Sequence, residues 1–452
     1  MRDQFTDAIK GHNADYIELR FEQRKTTHLA YRGNRLEEVD RASSSGGNIR
    51  ALVGGGWGFV SFNSLDNLKD KVCLAVKEAG LARSEAAGLA PVGPVVDIVA
   101  IELEKSATGL PLATKKRLLD EYNDIILSSP KIQNSIVDYR DVEKQVYFVN
   151  SEGAYTQQAK PDLALRLTAI ATEDNEVQQA ALSLGSNGDF TAIEGLHEKV
   201  KQIAERAAKL LSAPQVKGDE YTVILDPVLA GVFAHEAFGH LSEADLVYQN
   251  EQLRDLMSLG RRFGGKHLNI VDDATIPGMR GSYKYDDEGV PGARAYLIHE
   301  GVLVGRLHSR ETAAKMAEPV TGNARALDYF FPPIVRMTNT FIEAGTCSFE
   351  EMLSEIKKGV YVKDWYGGTT SLEMFTFSAG EGYMIRNGKL AELLRPVVLS
   401  GNVFVTLANI DAIANDLEMN QGGGCGKGGQ SPLPVSNGSP HIRIRSCLVG
   451  GR

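Results

Sequence analysis

The sequence predicts an α+β protein. An N-terminal domain of mixed strands and helices forms two lobes, and a β-rich C-terminal domain follows, carrying one helix of functional interest. Three observations lead there. A chain of 452 residues, 43% hydrophobic and 24% charged, has room for two or three cores. The order strands-then-helix occurs twice before residue 215, without regular βαβ alternation. Past residue 215 the pattern turns to β-rich runs and hairpin signals.

Taken in order, ADYIELRFEQ and RALVGGGWGFVSFN are rich in β-formers, and SSSGGN reads as a turn between them. Ser64 is placed to cap a helix whose Leu68, Val72, Ala75, Val76 and Ala79 make one apolar stripe. Cys73 sits beside that stripe and reads as a core residue. The Ala, Gly and Pro content of SEAAGLAPVGPVV (84–96) marks a linker, which divides the first domain into lobes 1–90 and 97–215. Leu118, Leu119, Tyr122, Ile125 and Ile126 predict a helix over 114–127. Strand-like runs follow in SIVDYRDV, KQVYFVNSEG and ALRLTAIATED. Leu196, Val200, Ile203, Ala204, Ala207 and Leu211 predict a closing helix over 196–211. The repeated order suggests similar lobes or an old duplication.

LSAPQVKGDE (211–220) puts Pro, Gly and charge between a helix and an apolar strand, so the domains are expected to be 1–215 and 216–452. In the second, YLIHEGVLVGRL (296–307) and YMIRNGKLAELL (383–394) look like hairpins. Asn387-Gly388 is a strong two-residue turn signal and Glu300-Gly301 a weaker one.

Charge and cysteines exclude some classes. A formal net charge of −9 argues against a nucleic-acid binder or one that sits on anionic membrane. No apolar run approaches the ~18 residues of a membrane span, and MRDQFTDAIKGHN has no apolar signal-peptide core. Four scattered cysteines (Cys73, Cys347, Cys425, Cys447) do not suggest a disulfide framework, and the expectation is a reduced, cytoplasmic protein.

The chemistry gathers at HEAFGH (235–240). YTVILDP is a buried strand ending in a helix start, with Asp226 as N-cap and Pro227 at the first helical position. In the common H-E-x-x-H zinc motif two histidines stand four apart on one helical face. Here they stand five apart, which on a regular helix separates them by ~140° around the axis. A π-bulge removes the difficulty by bringing i and i+5 to nearly the same side. Gly239 is the residue most able to take a distorted conformation, so widening is expected at Phe238–Gly239. His235 and His240 are then candidate metal ligands. Glu236, adjacent but unbound, is the candidate general base, returning its proton to the leaving amine.

A catalytic zinc needs three protein ligands and an open position. Glu243 and Asp245 are candidates as ligands or as acceptors that fix a histidine tautomer. Cys425 is another, although the surrounding NQGGGCGKGGQ has the composition of a flexible linker. Spacing alone does not choose among them.

These residues resemble the TldD/PmbA metallopeptidase family. The resemblance rests on HEAFGH with Glu243-Ala244-Asp245 after it and on CGKGGQS near the C-terminus. Between them, in order, stand DDATIPGMRGSYKYDDEG (272–289), TGNARA (321–326), RMTNT (336–340) and GNVF (401–404). The chain carries both HExxxH and the cysteine, so it resembles the active TldD type rather than the PmbA (TldE) type, which lacks them. The resemblance implies a C-terminal metallopeptidase domain in which His235, His240 and Cys425 hold one Zn2+ and Glu236 is the base. It departs from the family in one place: Leu241-Ser242 stands where Gly-Leu is common.

Lys427 and the amides near Gly424 and Gly426 are candidates to stabilise an oxyanion. The resemblance also implies proteolysis of peptides or unfolded polypeptide segments. The active subunit is expected as a homodimer or as a heterodimer with an inactive PmbA/TldE-type paralogue. Substrate binding through strand edges would explain tolerance of sequence. The family's older label, modulator of DNA gyrase, keeps a rival in view, a non-catalytic regulatory subunit. The acidic charge does not support direct DNA binding.

Overall fold

The computed structural model describes residues 1–82 and 88–451. The first part of the chain builds one sheet of eight strands: β1 (Tyr16–Arg32), β2 (Arg35–Val53), β3 (Gly56–Phe62), β4 (Val96–Val99), β5 (Ile132–Asn150), β6 (Tyr155–Ala159), β7 (Asp162–Glu173) and β8 (Glu176–Ser186). The strands run in the order β3-β2-β1-β5-β6-β4, and β7 pairs with both β5 and β8. Pairing of β1 with β5 from Glu18↔Asn150 to Arg32↔Ile136 joins the two strand-then-helix segments in this continuous sheet.

Alternation along β1 gives the sheet two different faces. Ile17, Leu19, Phe21, Leu29 and Tyr31 are buried under helices α1 (Arg2–Ile9), α2 (Leu68–Leu81), α3 (Leu112–Ser128) and α4 (His197–Leu210). The even-numbered residues point the other way, toward the C-terminal half. There Arg50 bridges Glu18 (2.6 Å) and Glu288 (2.9 Å), and Arg20 approaches Asp287 (3.7 Å).

Several local expectations are corrected. SSSGGN is not a turn: Ser43–Asn48 pair with Lys25–Arg20 inside β2, and the chain reverses at Gly33 instead. Gly46 answers to close approach, since a Cβ there would lie 2.4 Å from the Tyr329 ring. Ser64 does not cap α2; its hydroxyl donates to Asp66, and Asn67 stands at the N-cap in a left-handed conformation. Cys73 is exposed, 3.7 Å from His12, because it falls outside the Val72–Ala75–Ala79 stripe. SIVDYRDV and KQVYFVNSEG belong to the single strand β5, whose register crosses Glu143-Lys144 without a break. Of the linker 84–96, residues 83–87 lie outside the described residues; 88–95 have no regular structure and Val96 opens β4.

In the C-terminal half, β9 (Asp219–Leu225) lies between Lys358–Ser371, parallel, and Ile442–Gly451, antiparallel. Val397–Asn402 and Met374–Arg386 continue the path, and Met374–Arg386 pairs back to Lys358–Ser371, closing the sheet into a ring. A second, six-stranded sheet contains Ile270–Asp273, Asn339–Ile342 and Ser436–Ser439. Asn387-Gly388 and Glu300-Gly301 both take positive φ at both positions (48° and 75°; 47° and 77°), the mark of a type I′ turn. No described helix is long and apolar enough to cross a membrane.

Helix α5 (Pro227–Phe233) leaves the end of β9 and points into the space between the two C-terminal sheets. Asp226 caps it, accepting from Leu229 N at 2.9 Å, while its other oxygen accepts from Asp364 N at 3.2 Å. Burial, reinforced by the Asp364 charge, pushes the Asp226 carboxyl up to about 7. A carboxyl whose folded pKa is raised binds its proton more tightly folded than unfolded. Its contribution to stability is therefore greatest near pH 4 and is lost as pH rises toward 7. The expected size is on the order of 2–4 kcal/mol, after the favourable field of the helix start is allowed for. Thermal melts of wild type and Asp226→Asn check this: the Tm of wild type relative to the variant should fall between pH 4 and 7.

Candidate metal centre

Beyond Phe233 the helix widens. Ala234–Gly239 form a π-helical turn, and His240–Ser242 tighten into a 3₁₀ turn. The widening occupies the whole turn between the histidines rather than Phe238–Gly239 alone, because an i→i+5 hydrogen-bond ring needs a full turn to absorb one extra residue. The two imidazoles come to the same side, with ring centroids 5.2 Å apart and planes at 83°.

Gly239 itself is not distorted; its φ of −57° and ψ of −49° are ordinary helical values. What excludes a side chain there is Met337, whose sulfur would lie 2.1 Å from a Cβ. Met337 is fully buried, so Gly239→Ala is expected to cost ~1–3 kcal/mol of stability. Pairing it with Met337→Ala should recover part of that loss. Urea unfolding of the two single variants and the double variant measures the coupling.

Cys425 arrives from a hairpin. Cys425–Lys427 pairs with Gln430–Leu433, and Gly428-Gly429, with φ of 58° and 76°, make the two-residue turn. The glycine-rich stretch is therefore a tight hairpin here rather than a flexible linker. Arg336, fully buried, donates to the carbonyls of Cys425 (2.8 Å) and Gln430 (3.3 Å) and pins the strand. The Cys425 sulfur, 1% exposed, lies 3.5 Å from Nε2 of His240 across 185 residues of chain. One donor atom from each of His235, His240 and Cys425 falls within 4.8 Å of the others.

Around this triad the polar groups are ordered. His240 donates from Nδ1 to Glu243 Oε2 at 2.9 Å, which turns its Nε2 toward the sulfur. Glu243 is fully buried and also meets Lys427 at 3.1 Å; Asp245 takes Lys427 at 2.6 Å. With Val335 O at 2.8 Å, the three ammonium donors of Lys427 are filled by Glu243, Asp245 and this carbonyl. Lys427 thus supports the carboxylate behind His240 and has no donor left for an oxyanion. Asp245 meets Lys427, not an imidazole. Gly424 and Gly426 flank Cys425 and are exposed. Glu236 stands one-third exposed at the mouth of the site, its Oε2 4.0 Å from His240 Nε2.

The electrostatics favour a metal-binding donor set. Burial pushes the Cys425 thiol up, but His235 and His240 outweigh it and hold it well below its ordinary range. Burial pulls His240 down, and Glu243 and Cys425 more than reverse that. Burial raises Glu243, yet His240 and Lys427 keep it low and ionised. One observation fits a cation directly: Nδ1 of His235 is buried without a hydrogen-bond partner in a residue only 3% exposed. A thiolate and two imidazoles beside an orphaned ring nitrogen are the soft and borderline donors that zinc takes.

Local sequence reading missed the roles of Arg336 and Met337. Their signal was the RMTNT landmark, which carries a family resemblance but does not name a contact.

The α+β fold thus sets a widened His-Glu helix against a buried cysteine. The chain belongs to the PmbA/TldD metallopeptidase family: residues 218–451 match the PmbA/TldA metallopeptidase C-terminal domain, 17–79 its domain 1 and 105–213 its central domain. It is 47% identical to the metalloprotease slr0863 of Synechocystis sp. over 97% of this chain and 95% of that one. It is 34% identical to the zinc metalloprotease TldD homolog of Saccharolobus solfataricus, over 71% of this chain and 72% of that relative. Its fold matches the crystal structure of TldE from Thermococcus kodakarensis with a TM-score of 0.77, 19% identity and full coverage of both chains.

Proposed function

We propose that this chain is a zinc-dependent endopeptidase of the TldD type, acting on extended peptides or unfolded polypeptide segments. The observation that carries this is the convergence of His235, His240 and Cys425, with Glu236 exposed beside them. His235, His240 and Cys425 would hold the metal. When bound, zinc supplies a Lewis acid that polarises the scissile carbonyl and lowers the pKa of water toward ~7.

The chain's own residues do the rest. Glu236, partly exposed and 4.0 Å from Nε2 of His240, accepts the proton of the attacking water and delivers it to the leaving amine. Glu243 keeps Nδ1 of His240 protonated, so that Nε2 remains the ligating atom, and Lys427 holds Glu243 ionised. Arg336 fixes the strand that presents the thiolate. The exposed edge at Glu236 is where the substrate backbone enters.

The proposed assembly is a dimer with a second copy or with an inactive TldE-type paralogue, and the proposed compartment is the cytoplasm. Incubation with unfolded casein tests the activity. Cleavage should be lost with a chelator and restored by added zinc; cleavage untouched by chelation would contradict the reading. The gyrase-modulator alternative, a non-catalytic subunit, requires that no peptide be cleaved at all.

A further inference from the structure

The even-numbered face of β1 and its partners on β5 look across a cavity of about 950 Å³ toward the C-terminal segments 274–292, 325–327 and 423–434. His235, Glu236 and His240 do not line it. Gly424 and Leu433 do, and these are the chain neighbour and the strand partner of Cys425. The cavity therefore begins at the wall of the metal centre and runs away from it. Its volume is near the upper end for ligand pockets, with room for several residues of an extended chain.

Four arginines line it without a carboxylate in ion-pairing range among the described residues: Arg24 from β1, Arg140 from β5, Arg166 from β7 and Arg325. Of the four carboxylates that line the cavity, the exposed Glu102 makes no ion pair among the described residues and the other three have partners elsewhere. Asp138 meets His28 (3.0 Å), Asp162 meets Arg280 (2.5 Å), and Asp287 meets Lys160 (2.9 Å) and Arg20 (3.7 Å). Arg325, only 8% exposed, donates to the carbonyls of Met337 (2.5 Å) and Pro434 (2.7 Å). The Nε of Arg24 is buried with no hydrogen-bond partner. Between the charges the wall is apolar, with Val99, Ile101, Val142 and Met279.

Uncompensated cations in a walled space attract an anion, because low-dielectric surroundings strengthen each charge. Burial and the neighbouring Arg24 push the Arg140 guanidinium pKa down, and Asp162 and Asp138 offset only part of that. An apolar wall between cations suits an anion carried on an apolar body. An extended peptide bearing a carboxylate has that chemistry, and the Cys425 hairpin at one end says where it comes from.

We propose that this cavity anchors the polypeptide substrate by a carboxylate, either an acidic side chain or the chain's C-terminus, held by Arg24 and Arg140. The proposal rests on the peptidase reading and adds a substrate preference to it. Guanidinium groups engage carboxylates by paired hydrogen bonds, so the preference is for position as well as charge.

Fluorescence anisotropy on zinc-loaded Glu236→Gln protein tests it with three labelled peptides of one core sequence. One carries Glu and a free C-terminus, one Gln and a free C-terminus, and one Glu and a C-terminal amide. At least one substitution should weaken binding tenfold or more, and which one identifies the carboxylate. Arg24→Gln/Arg140→Gln should reduce the preferred peptide to the affinity of its neutral counterpart while leaving the neutral peptide unchanged. A melting curve checks that the double variant is folded.

Equal affinity for all three peptides overturns the anchor, as does equal weakening of all three by the arginine substitutions. Inorganic phosphate that binds without displacing peptide would assign the cavity to a free anion and overturn it too. Casein cleavage by wild type is scored separately. If cleavage stands while the arginine substitutions change nothing, the anchor falls alone; if wild type neither cleaves nor binds peptide, both readings fall.

Discussion

Glu236→Gln is expected to leave a folded, zinc-loaded protein whose peptide hydrolysis is 10²–10⁴-fold slower, the usual contribution of a positioned general base. Glutamine keeps the size and hydrogen-bonding shape of the side chain and removes only its ability to take a proton. Glu236 makes its closest charged approach at 4.0 Å from His240 and remains partly in solvent, so the fold should not notice the change. Steady-state cleavage of a peptide beside a zinc assay separates the possibilities. Loss of rate with metal retained fits the proposed role. Loss of metal would make Glu236 a ligand, and an unchanged rate would remove it from the chemistry.

The second large effect concerns support of the centre from behind. Lys427→Met should cost about 3–5 kcal/mol of stability, because Glu243 would be left as a buried charge with one partner fewer. Glu243 has no exposure to water, and its Oε1 already lacks a hydrogen bond. The acceptor that fixes the His240 tautomer would then be held in place and ionised less firmly. A weaker hold on zinc, on the order of 10–100-fold, is expected together with the drop in Tm. An oxyanion role for Lys427 would instead lower turnover without touching stability or zinc affinity, so the two readouts decide between them.

How much of this could be read from sequence depended on how local each cause was. Asp226-Pro227 announced a helix start because capping is settled within four residues, and Asn387-Gly388 announced a turn for the same reason. The five-residue spacing of His235 and His240 required a wider turn if the rings were to meet, and that was a matter of helical geometry. The part played by Gly239 was not legible. Its reason is Met337, ninety-eight positions away, which only folding brings against it.

The partners of Lys427 were hidden for a similar cause. A lysine in a glycine-rich stretch looks solvated until Glu243 and Asp245 are set beside it. Ser43–Asn48 had turn composition, yet a nineteen-residue strand paired along its length overrode that local preference. Cys425 could not be chosen over Glu243 or Asp245 by spacing; the family resemblance selected it, and the folded chain brings its sulfur 3.5 Å from His240.

The central claim is that His235, His240 and Cys425 together hold one catalytic zinc. Zinc content per chain, measured on wild type, His240→Ala and Cys425→Ser purified side by side, tests it most directly. The account predicts close to one zinc in wild type, little or none in either variant, and chelator-sensitive casein cleavage only where zinc is present. Casein cleavage by zinc-free wild type, or full zinc retained in both folded variants, would contradict it.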